Sequence, residues 1–173
     1  SLPIFKLLLV SLGSAETTLL KITSAYASFA NGGKKIDPVL IERIQDRRGK
    51  TIYNSDKRIC VGCDRYSSNS EKLPKIEDNY KKVFSEETAY QITSILEGVV
   101  KRGTGKKLRD MKVPIAGKTG TTNNNYDAWF IGYTSNLVIG VYVGFDNPES
   151  LGRYETGSKA ALPIFKSFIK KSL

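Results

Sequence analysis

Five consecutive residues carry the side chains that a protein would use to hold a carboxylate beside an exposed backbone. Lys118, Thr119, Gly120, Thr121 and Thr122 supply one cation, three hydroxyls and one position without a side chain. Alternation along a strand predicts that Lys118 lies on one face, with Thr119 and Thr121 on the other. If this is an edge strand, the Thr121 N–H and C=O are expected to pair with an incoming peptide, while the hydroxyls and the ammonium take its terminal carboxylate. Gly120 would permit the close approach.

Each of these residues also has an ordinary structural interpretation, since a surface lysine is usually solvated and threonine is common in strands.

The net charge of +10, from 27 Lys and Arg against 17 Asp and Glu, allows a second hypothesis. In it the chain is a non-catalytic basic module that binds cell-wall polymer or an anionic membrane, and the Lys118 strand is merely structural. The basic residues are spread along the chain without an RNA-binding, zinc-finger or basic-zipper pattern, so we predict no nucleic-acid partner.

The cysteine content and the absence of histidine limit the metal, triad and disulfide chemistry that this chain can carry. Cys60 and Cys63 are the only cysteines, and there is no His. Zinc would need two further ligands, and a Ser-His-Asp triad would need a histidine, so we predict no metal, no cofactor and no such triad. The cysteine pair lies in a polar stretch where we predict no strand. We expect either a local disulfide between Cys60 and Cys63 in an exported protein or two free thiols in a surface loop.

Hydrophobic spacing predicts an α+β fold with an antiparallel sheet packed against helices. Helices are expected over residues 17–30, over 86–102 behind a Ser85 N-cap, and over 160–171. Residues 38–54 are typical of a hairpin. Three strands are predicted at 113–121, 129–134 and 137–145, with the closing helix packed on their sheet.

The chain has the length of one ordinary domain. No apolar run approaches the roughly 18 residues of a membrane span. Residues 55–82 are mostly polar and are predicted to form an exposed insertion. Residues 1–15 superficially resemble a signal peptide, but without an initiator Met and with a single positive charge we expect a piece of a longer protein instead.

A longer pattern surrounds the Lys-Thr-Gly block and covers almost the whole chain except the insertion. Its parts, in chain order, are Leu12-Gly13-Ser14, residues 25–33, Arg102-Gly103-Thr104-Gly105, residues 114–122, residues 127–134, residues 140–146 and Thr156-Gly157. Together they resemble class A penicillin-binding proteins. The resemblance implies an incomplete penicillin-binding protein/β-lactamase-like transpeptidase fold, with residues 1–173 as the C-terminal portion of one transpeptidase domain and the insertion at about 55–82.

The resemblance also implies a reaction and a set of roles. A serine would attack the D-alanyl-D-alanine bond of a peptidoglycan stem peptide, and an amine of a second stem would resolve the acyl-enzyme into a crosslink. β-Lactams would acylate the same serine. Lys118 would stabilise the substrate carboxylate, and Thr119, Gly120, Thr121 and Thr122 would bind the substrate. The Thr121 backbone N–H would be half of an oxyanion hole.

The family's nucleophile motif, Ser-x-x-Lys, is missing from its usual place. Ser167 and Lys170 match it literally but follow the Lys-Thr-Gly block, and residues 67–69 match Ser-x-Asn inside the polar insertion. We interpret both as coincidences, so the nucleophilic serine is expected outside this chain. The isolated chain is therefore expected to be inactive. It is also expected to expose apolar surface that favours self-association.

A D,D-carboxypeptidase or a β-lactamase is the alternative within the enzyme class. For the parent protein the resemblance implies a glycosyltransferase domain, a membrane anchor and a place on the extracytoplasmic, periplasmic face of the bacterial cytoplasmic membrane.

Overall fold

The computed structural model describes residues 17–61, 74–77 and 79–172. Within these ranges the helices are α1 (Leu19–Ala30), α2 (Glu86–Arg102) and α3 (Ala161–Ser172). The strands are β1 (Arg43–Gln45), β2 (Thr51–Asn54), β3 (Cys60–Val61), β4 (Lys75–Ile76), β5 (Ala116–Thr121), β6 (Ala128–Tyr133) and β7 (Val138–Val143). Short 3₁₀ turns lie at Lys106–Leu108 and Asn123–Asn125. The α+β class predicted from the sequence is confirmed.

The central sheet is antiparallel, with the strand order β5-β6-β7. Helix α1 packs on one face of it and α3 on the other, and glycines in the strands make both approaches close. A Cβ on Gly140 would run into the Thr23 side chain of α1. On the opposite face, a Cβ on Gly132 would lie 2.7 Å from the ring of Phe165 in α3. The sheet therefore forms the middle of three layers, and both of its faces are covered over part of their area.

Two apolar clusters hold the layers together. The larger one lies between the sheet and α3, and its buried members are Val100, Leu108, Ile115, Phe130, Val141, Ala161, Leu162, Phe165 and Ile169. The smaller one joins α1 and α2 to the other face through buried Leu96, Ala116 and Tyr133, with Tyr26 and Phe29 packed against them. Helix α2 contributes to both clusters, so it ties the two faces of the sheet together.

The helix boundaries follow local signals. The Ser85 side chain accepts a hydrogen bond of 3.2 Å from the Thr88 N–H, which confirms the predicted N-cap. The Thr18 side chain accepts from the Lys21 N–H in the same way at the start of α1. Pro163 falls in the first turn of α3, where its missing N–H costs no helical hydrogen bond.

The polar insertion differs from the prediction. Cys60 and Val61 form β3, which pairs with β4 so that Cys60 lies opposite Ile76. The prediction of a strandless stretch was therefore wrong, because a two-residue pairing leaves no periodicity that a sequence pattern can reveal. Cys60 is disulfide-bonded, whereas Cys63 lies outside the described residues, so the Cys60–Cys63 pairing stays a prediction.

The first predicted hairpin is shorter than expected, since residues 38–42 precede β1 and are not part of it. The interpretation of residues 1–15 and of the Ser-x-Asn match at 67–69 concerns positions outside the described residues. In the part of the chain that the structure describes, no helix combines the length and apolar character needed to cross a bilayer.

Candidate functional site

Strand β5 carries the Lys-Thr-Gly segment and is an edge strand within the described residues. The Thr122 N–H donates a hydrogen bond of 3.1 Å to the Asp127 carbonyl across to β6. Backbone groups of an antiparallel strand point alternately toward and away from the neighbouring strand. Gly120 and Lys118 therefore direct their N–H and C=O groups at β6, while those of Thr119 and Thr121 face away from the sheet. Within the described part of the chain, no strand pairs with this edge, so the edge-strand condition of the sequence analysis is met at these two residues.

The Lys118 side chain lies along this edge. Its Nζ donates a hydrogen bond of 2.6 Å to the Thr119 carbonyl of its own strand. This contact agrees with an outward-facing Thr119 carbonyl and places the ammonium beside the free edge. The side chain is exposed, so its charge is available to an anion that approaches β5.

The Thr119 and Thr121 hydroxyls are each held by a residue from a distant part of the chain. Thr119 Oγ1 lies 2.8 Å from Thr104 Oγ1, in the loop that follows α2. Thr121 Oγ1 accepts a hydrogen bond of 3.1 Å from the Gly157 N–H. Two segments far apart in sequence thus fix the hydroxyl groups of the strand.

Gly157 is packed directly against the backbone of the Lys-Thr-Gly segment. A Cβ at this position would lie 2.5 Å from the Gly120 carbonyl oxygen and would clash with the Trp129 carbonyl as well. Only glycine fits there without a shift of either backbone. Gly120 itself lies opposite Trp129 of β6. A Cβ on Gly120 would lie 3.1 Å from the Trp129 Cβ.

A cavity of about 780 Å³ lies between α1 and the adjacent face of β5 and β6. Its lining combines two lysines with apolar and hydroxyl-bearing residues. The lining residues are Thr17, Lys21, Ile22, Ala25, Tyr26, Lys118, Thr119, Gly120, Thr121, Thr122, Asp127, Trp129 and Ile131. All five residues of the predicted binding segment contribute to this one cavity.

Burial affects Tyr26, the aromatic side chain that α1 contributes to the cavity. It raises the pKa of the phenol, because the surrounding protein disfavours the phenolate. Tyr26 therefore remains neutral at physiological pH. The basic side chains of the lining are those of Lys21 and Lys118.

The turn between β5 and β6 closes one end of the cavity. Asp127 anchors it, because its N–H donates to Thr122 Oγ1 at 2.8 Å and its carboxylate accepts from the Tyr142 hydroxyl at 2.8 Å. The Trp129 and Tyr142 rings lie 4.6 Å apart. The Asp127 carboxylate holds the phenolic proton of Tyr142 and so raises the pKa of that phenol.

Two asparagines in the same turn, Asn124 and Asn125, have positive φ angles of 61° and 55°. Asparagine tolerates this left-handed conformation better than most residues. The Asn125 side chain donates to the Gly152 and Arg153 carbonyls, both at 3.1 Å. The turn is thereby joined to residues 150–157, the same segment that supplies Gly157.

The structure does not bring the literal Ser-x-x-Lys match to the cavity. Ser167 is an exposed residue of α3, the helix on the opposite face of the sheet from α1. Lys170 lies 3.8 Å from the Asp110 carboxylate. The interpretation of this match as a coincidence stays a prediction.

Sequence reasoning missed several residues that shape the site. Thr104 and Gly157 were named only as parts of the family pattern, without a role. Lys21 was not singled out at all. The contacts of Thr104 and Gly157 span 15 and 36 residues, and no local pattern can reveal contacts across such distances.

Comparison with known proteins identifies the family. The family model described as "Penicillin binding protein transpeptidase domain" matches residues 6–170. The chain therefore belongs to the penicillin-binding protein transpeptidase domain family.

Within this family, the chain is similar to individual proteins named penicillin-binding protein 1A. The chain is 51% identical over 162 residues to penicillin-binding protein 1A of Rickettsia prowazekii (strain Madrid E), covering 91% of the chain and 20% of that protein. The crystal structure of penicillin-binding protein 1A from Haemophilus influenzae aligns with a TM-score of 0.77 and 37% identity, covering 92% of this chain and 27% of that one. The chain thus spans about a fifth of the length of the curated relatives that it matches.

A more distant structure supports the fold alone. It is penicillin-binding protein A from Mycobacterium tuberculosis, in an imipenem acyl-enzyme complex. It aligns with a TM-score of 0.62 at 22% identity and covers 89% of this chain and 31% of that one. The penicillin-binding protein transpeptidase fold expected from the sequence is confirmed by these structural neighbours.

Proposed function

We propose that residues 1–173 form the C-terminal part of a serine D,D-transpeptidase domain, and that the β5 edge binds the carboxylate end of a peptidoglycan stem peptide. The observation that carries this proposal is the open edge at Thr119 and Thr121, next to the exposed Lys118 ammonium. A peptide that adds to this edge gains backbone hydrogen bonds, and its terminal carboxylate gains charge-assisted ones. Gly120 leaves the strand without a side chain where the peptide would lie closest.

In this proposal each residue of the segment has one task. Lys118 stabilises the substrate carboxylate, Thr119 and Thr121 supply hydroxyl donors to it, and Thr122 completes the binding segment and holds the Asp127 turn. The outward-facing Thr121 N–H is one donor of the oxyanion hole, where it stabilises the negative charge of the tetrahedral intermediate. The second donor and the attacking serine come from another part of the parent protein.

The reaction proceeds in two acyl transfers. The serine oxygen attacks the carbonyl carbon of the D-alanyl-D-alanine bond, the terminal D-alanine leaves with a proton, and an ester to the enzyme remains. An amine of a second stem then attacks the ester and releases the serine, which completes the crosslink. β-Lactams enter the first step only, since the opened ring stays attached to the acyl group. Membership of the penicillin-binding protein transpeptidase family supports this chemistry.

The proposal extends to the setting of the parent protein. Its substrate lies outside the cytoplasmic membrane, so the site would act on the periplasmic face, in a protein anchored to the membrane. A glycosyltransferase domain elsewhere in the parent would supply the glycan strands. The similarity to proteins named penicillin-binding protein 1A supports a place outside the cytoplasm.

The test is covalent labelling of the complete protein by a fluorescent penicillin. Lys118→Ala is expected to lower the second-order rate of acylation by about 100-fold, because a charge-assisted contact to the carboxylate is worth roughly 1.5–3 kcal/mol and its loss also misplaces the ligand. Lys21→Ala is the matched control, since Lys21 is a second lysine of the same cavity without a proposed contact. Near-normal acylation of Lys118→Ala, or equal losses in the two variants, would contradict the assignment.

Product analysis separates the transpeptidase from its enzymatic alternatives. A transpeptidase gives crosslinked stems, a D,D-carboxypeptidase releases D-alanine without crosslinks, and a β-lactamase turns over the penicillin instead of retaining it. Rapid release of hydrolysed penicillin by the complete protein would favour the β-lactamase. The isolated chain is expected to remain unlabelled, since the proposal places the nucleophile outside it.

A further inference from the structure

The Arg102-Gly103-Thr104-Gly105 segment is folded tightly onto the end of α2. The Gly103 and Gly105 N–H groups both donate to the Val99 carbonyl at 3.0 Å. A Cβ on Gly103 would lie 3.0 Å from that oxygen, and one on Gly105 would lie 3.2 Å from it. The two glycines thus hold the loop close to the helix and direct Thr104 at β5, where its hydroxyl lies 2.8 Å from that of Thr119.

The direction of the hydrogen bond between the two hydroxyls follows from what Thr119 would bind. A hydroxyl has one hydrogen to donate, and a carboxylate can only accept. When Thr119 donates its hydrogen to a carboxylate, it has none left for Thr104. Thr104 must then be the donor, and its hydrogen bond strengthens the Thr119 hydroxyl as a donor in turn.

We propose that Thr104 is a positioning residue that acts through Thr119 on the carboxylate of the ligand, an inference that rests on the proposed function. Its hydroxyl fixes the rotamer of Thr119 and leaves the Thr119 hydrogen for the ligand. The neighbouring pair works in the same sense, because the Gly157 N–H can only donate and therefore leaves the Thr121 hydrogen free as well. Both hydroxyls of the strand thus receive a hydrogen bond from within the chain and present one outward.

A structural role of Thr104 predicts a different outcome. If Thr104 only fastens the loop to β5, its loss disturbs every ligand of the site equally. If it acts through Thr119 on the carboxylate, its loss matters only for ligands that carry the anion. Benzylpenicillin and its methyl ester differ chiefly in this charge and therefore separate the two roles.

The experiment measures the acylation rate constants of both compounds on the complete protein, by competition with a fluorescent penicillin. Thr104→Val removes the hydroxyl at nearly constant volume, and Thr104→Ser keeps it. We expect Thr104→Val to lower the rate with benzylpenicillin about five- to tenfold, the worth of one net hydrogen bond to an anion-binding group. The rate with the methyl ester should change by less than about twofold, and Thr104→Ser should stay near the wild-type protein with both.

Equal losses with acid and ester, or no loss with either, would overturn the inference while the proposed function stands. An absence of acylation in the wild-type protein would overturn both. If Thr104→Val fails to fold, Thr104→Ala takes its place in the same comparison. Folding is checked by the melting temperature of each variant.

Discussion

The Tyr142 hydroxyl donates a hydrogen bond of 2.8 Å to the Asp127 carboxylate and thereby ties β7 to the turn that follows the Lys-Thr-Gly segment. Gly144 lies beside this hydrogen bond, and a Cβ there would meet the Tyr142 hydroxyl and lie 2.9 Å from the Asp127 carboxylate. Asp127 also holds Thr122 through its backbone. The turn at one end of the cavity is therefore fixed from two sides.

Removal of this phenol should loosen the turn. We expect Tyr142→Phe to destabilise the complete protein by about 1 kcal/mol, the usual net worth of one hydrogen bond, with a lower melting temperature. Asp127→Asn keeps an acceptor oxygen and should cost less. A melting temperature of Tyr142→Phe at or above that of the wild-type protein would show that the contact does not stabilise the turn.

The same pair makes a prediction about pH. The Asp127 carboxylate raises the pKa of Tyr142 above its ordinary value of 10.0. The protonated Tyr142 hydroxyl therefore contributes its full stabilisation below pH 10.0. This stabilisation of the folded state is lost as the pH rises through the raised pKa of Tyr142 in the folded protein.

Absorbance at about 295 nm reports phenolate formation, and the difference between the alkaline titrations of the wild-type protein and Tyr142→Phe isolates this one group. Its midpoint is expected above pH 10.0. Asp127→Ala should bring the midpoint back toward the ordinary value. A midpoint at or below that value in the wild-type protein would contradict the prediction.

Gly157 offers a test of how closely residues 150–157 must pack on β5. Gly157→Ala should push this segment away from the Gly120 and Trp129 carbonyls, at a cost of about 1–3 kcal/mol. It should also release the Thr121 hydroxyl and slow penicillin acylation of the complete protein. Gly49→Ala is the control for a glycine substitution without a steric clash, since within the described residues no atom lies within 4 Å of a Cβ at Gly49; its φ of 80° adds a backbone strain that Gly157→Ala does not have. Equal acylation rates in the two variants would rule out a role for the Gly157 contact.

Two phenylalanines of α3 provide a matched pair for the core. Phe165 is fully buried and its ring lies 4.7 Å from that of Phe130, whereas Phe168 is 54% exposed. We expect Phe165→Ala to cost about 3–5 kcal/mol and Phe168→Ala to stay within about 0.5 kcal/mol. Denaturant unfolding of the complete protein measures both. Similar losses would mean that Phe168 is packed as well in the parent protein.

Local sequence signals were sufficient for part of this structure. Ser85 caps α2 as its position predicted, and the alternation of Lys118 with Thr119 and Thr121 follows from the period of a strand. The hydroxyl partners of the strand could not be predicted, because Thr104 and Gly157 reach β5 through the packing of the fold. Neither is distinguished by its own residue type, since a threonine or a glycine in a loop is ordinary.

The strand at Cys60 was missed for a different reason. A pairing of two residues on each side gives no hydrophobic alternation, and its register is set by the partner segment at Lys75 and Ile76. The cavity also depends on α1, about 90 residues before β5 in the sequence. Its lining by Lys21 and Tyr26 is a consequence of how α1 crosses the sheet, which the helix period alone does not specify.

The short connections of the central sheet bear on how the chain folds. Strands β6 and β7 are joined by a tight turn in which the Thr134 N–H donates to the Leu137 carbonyl at 2.9 Å, and β5 joins β6 through six residues. Contacts between such close segments form quickly, with hairpins closing in roughly 1–10 μs. The cavity also requires contact between α1 and β5, which are separated in the sequence by residues 31–115. Bringing together segments so far apart is slower and costs more chain entropy. The edge that carries Lys118 is therefore expected to be built early in folding, and the wall that faces it late.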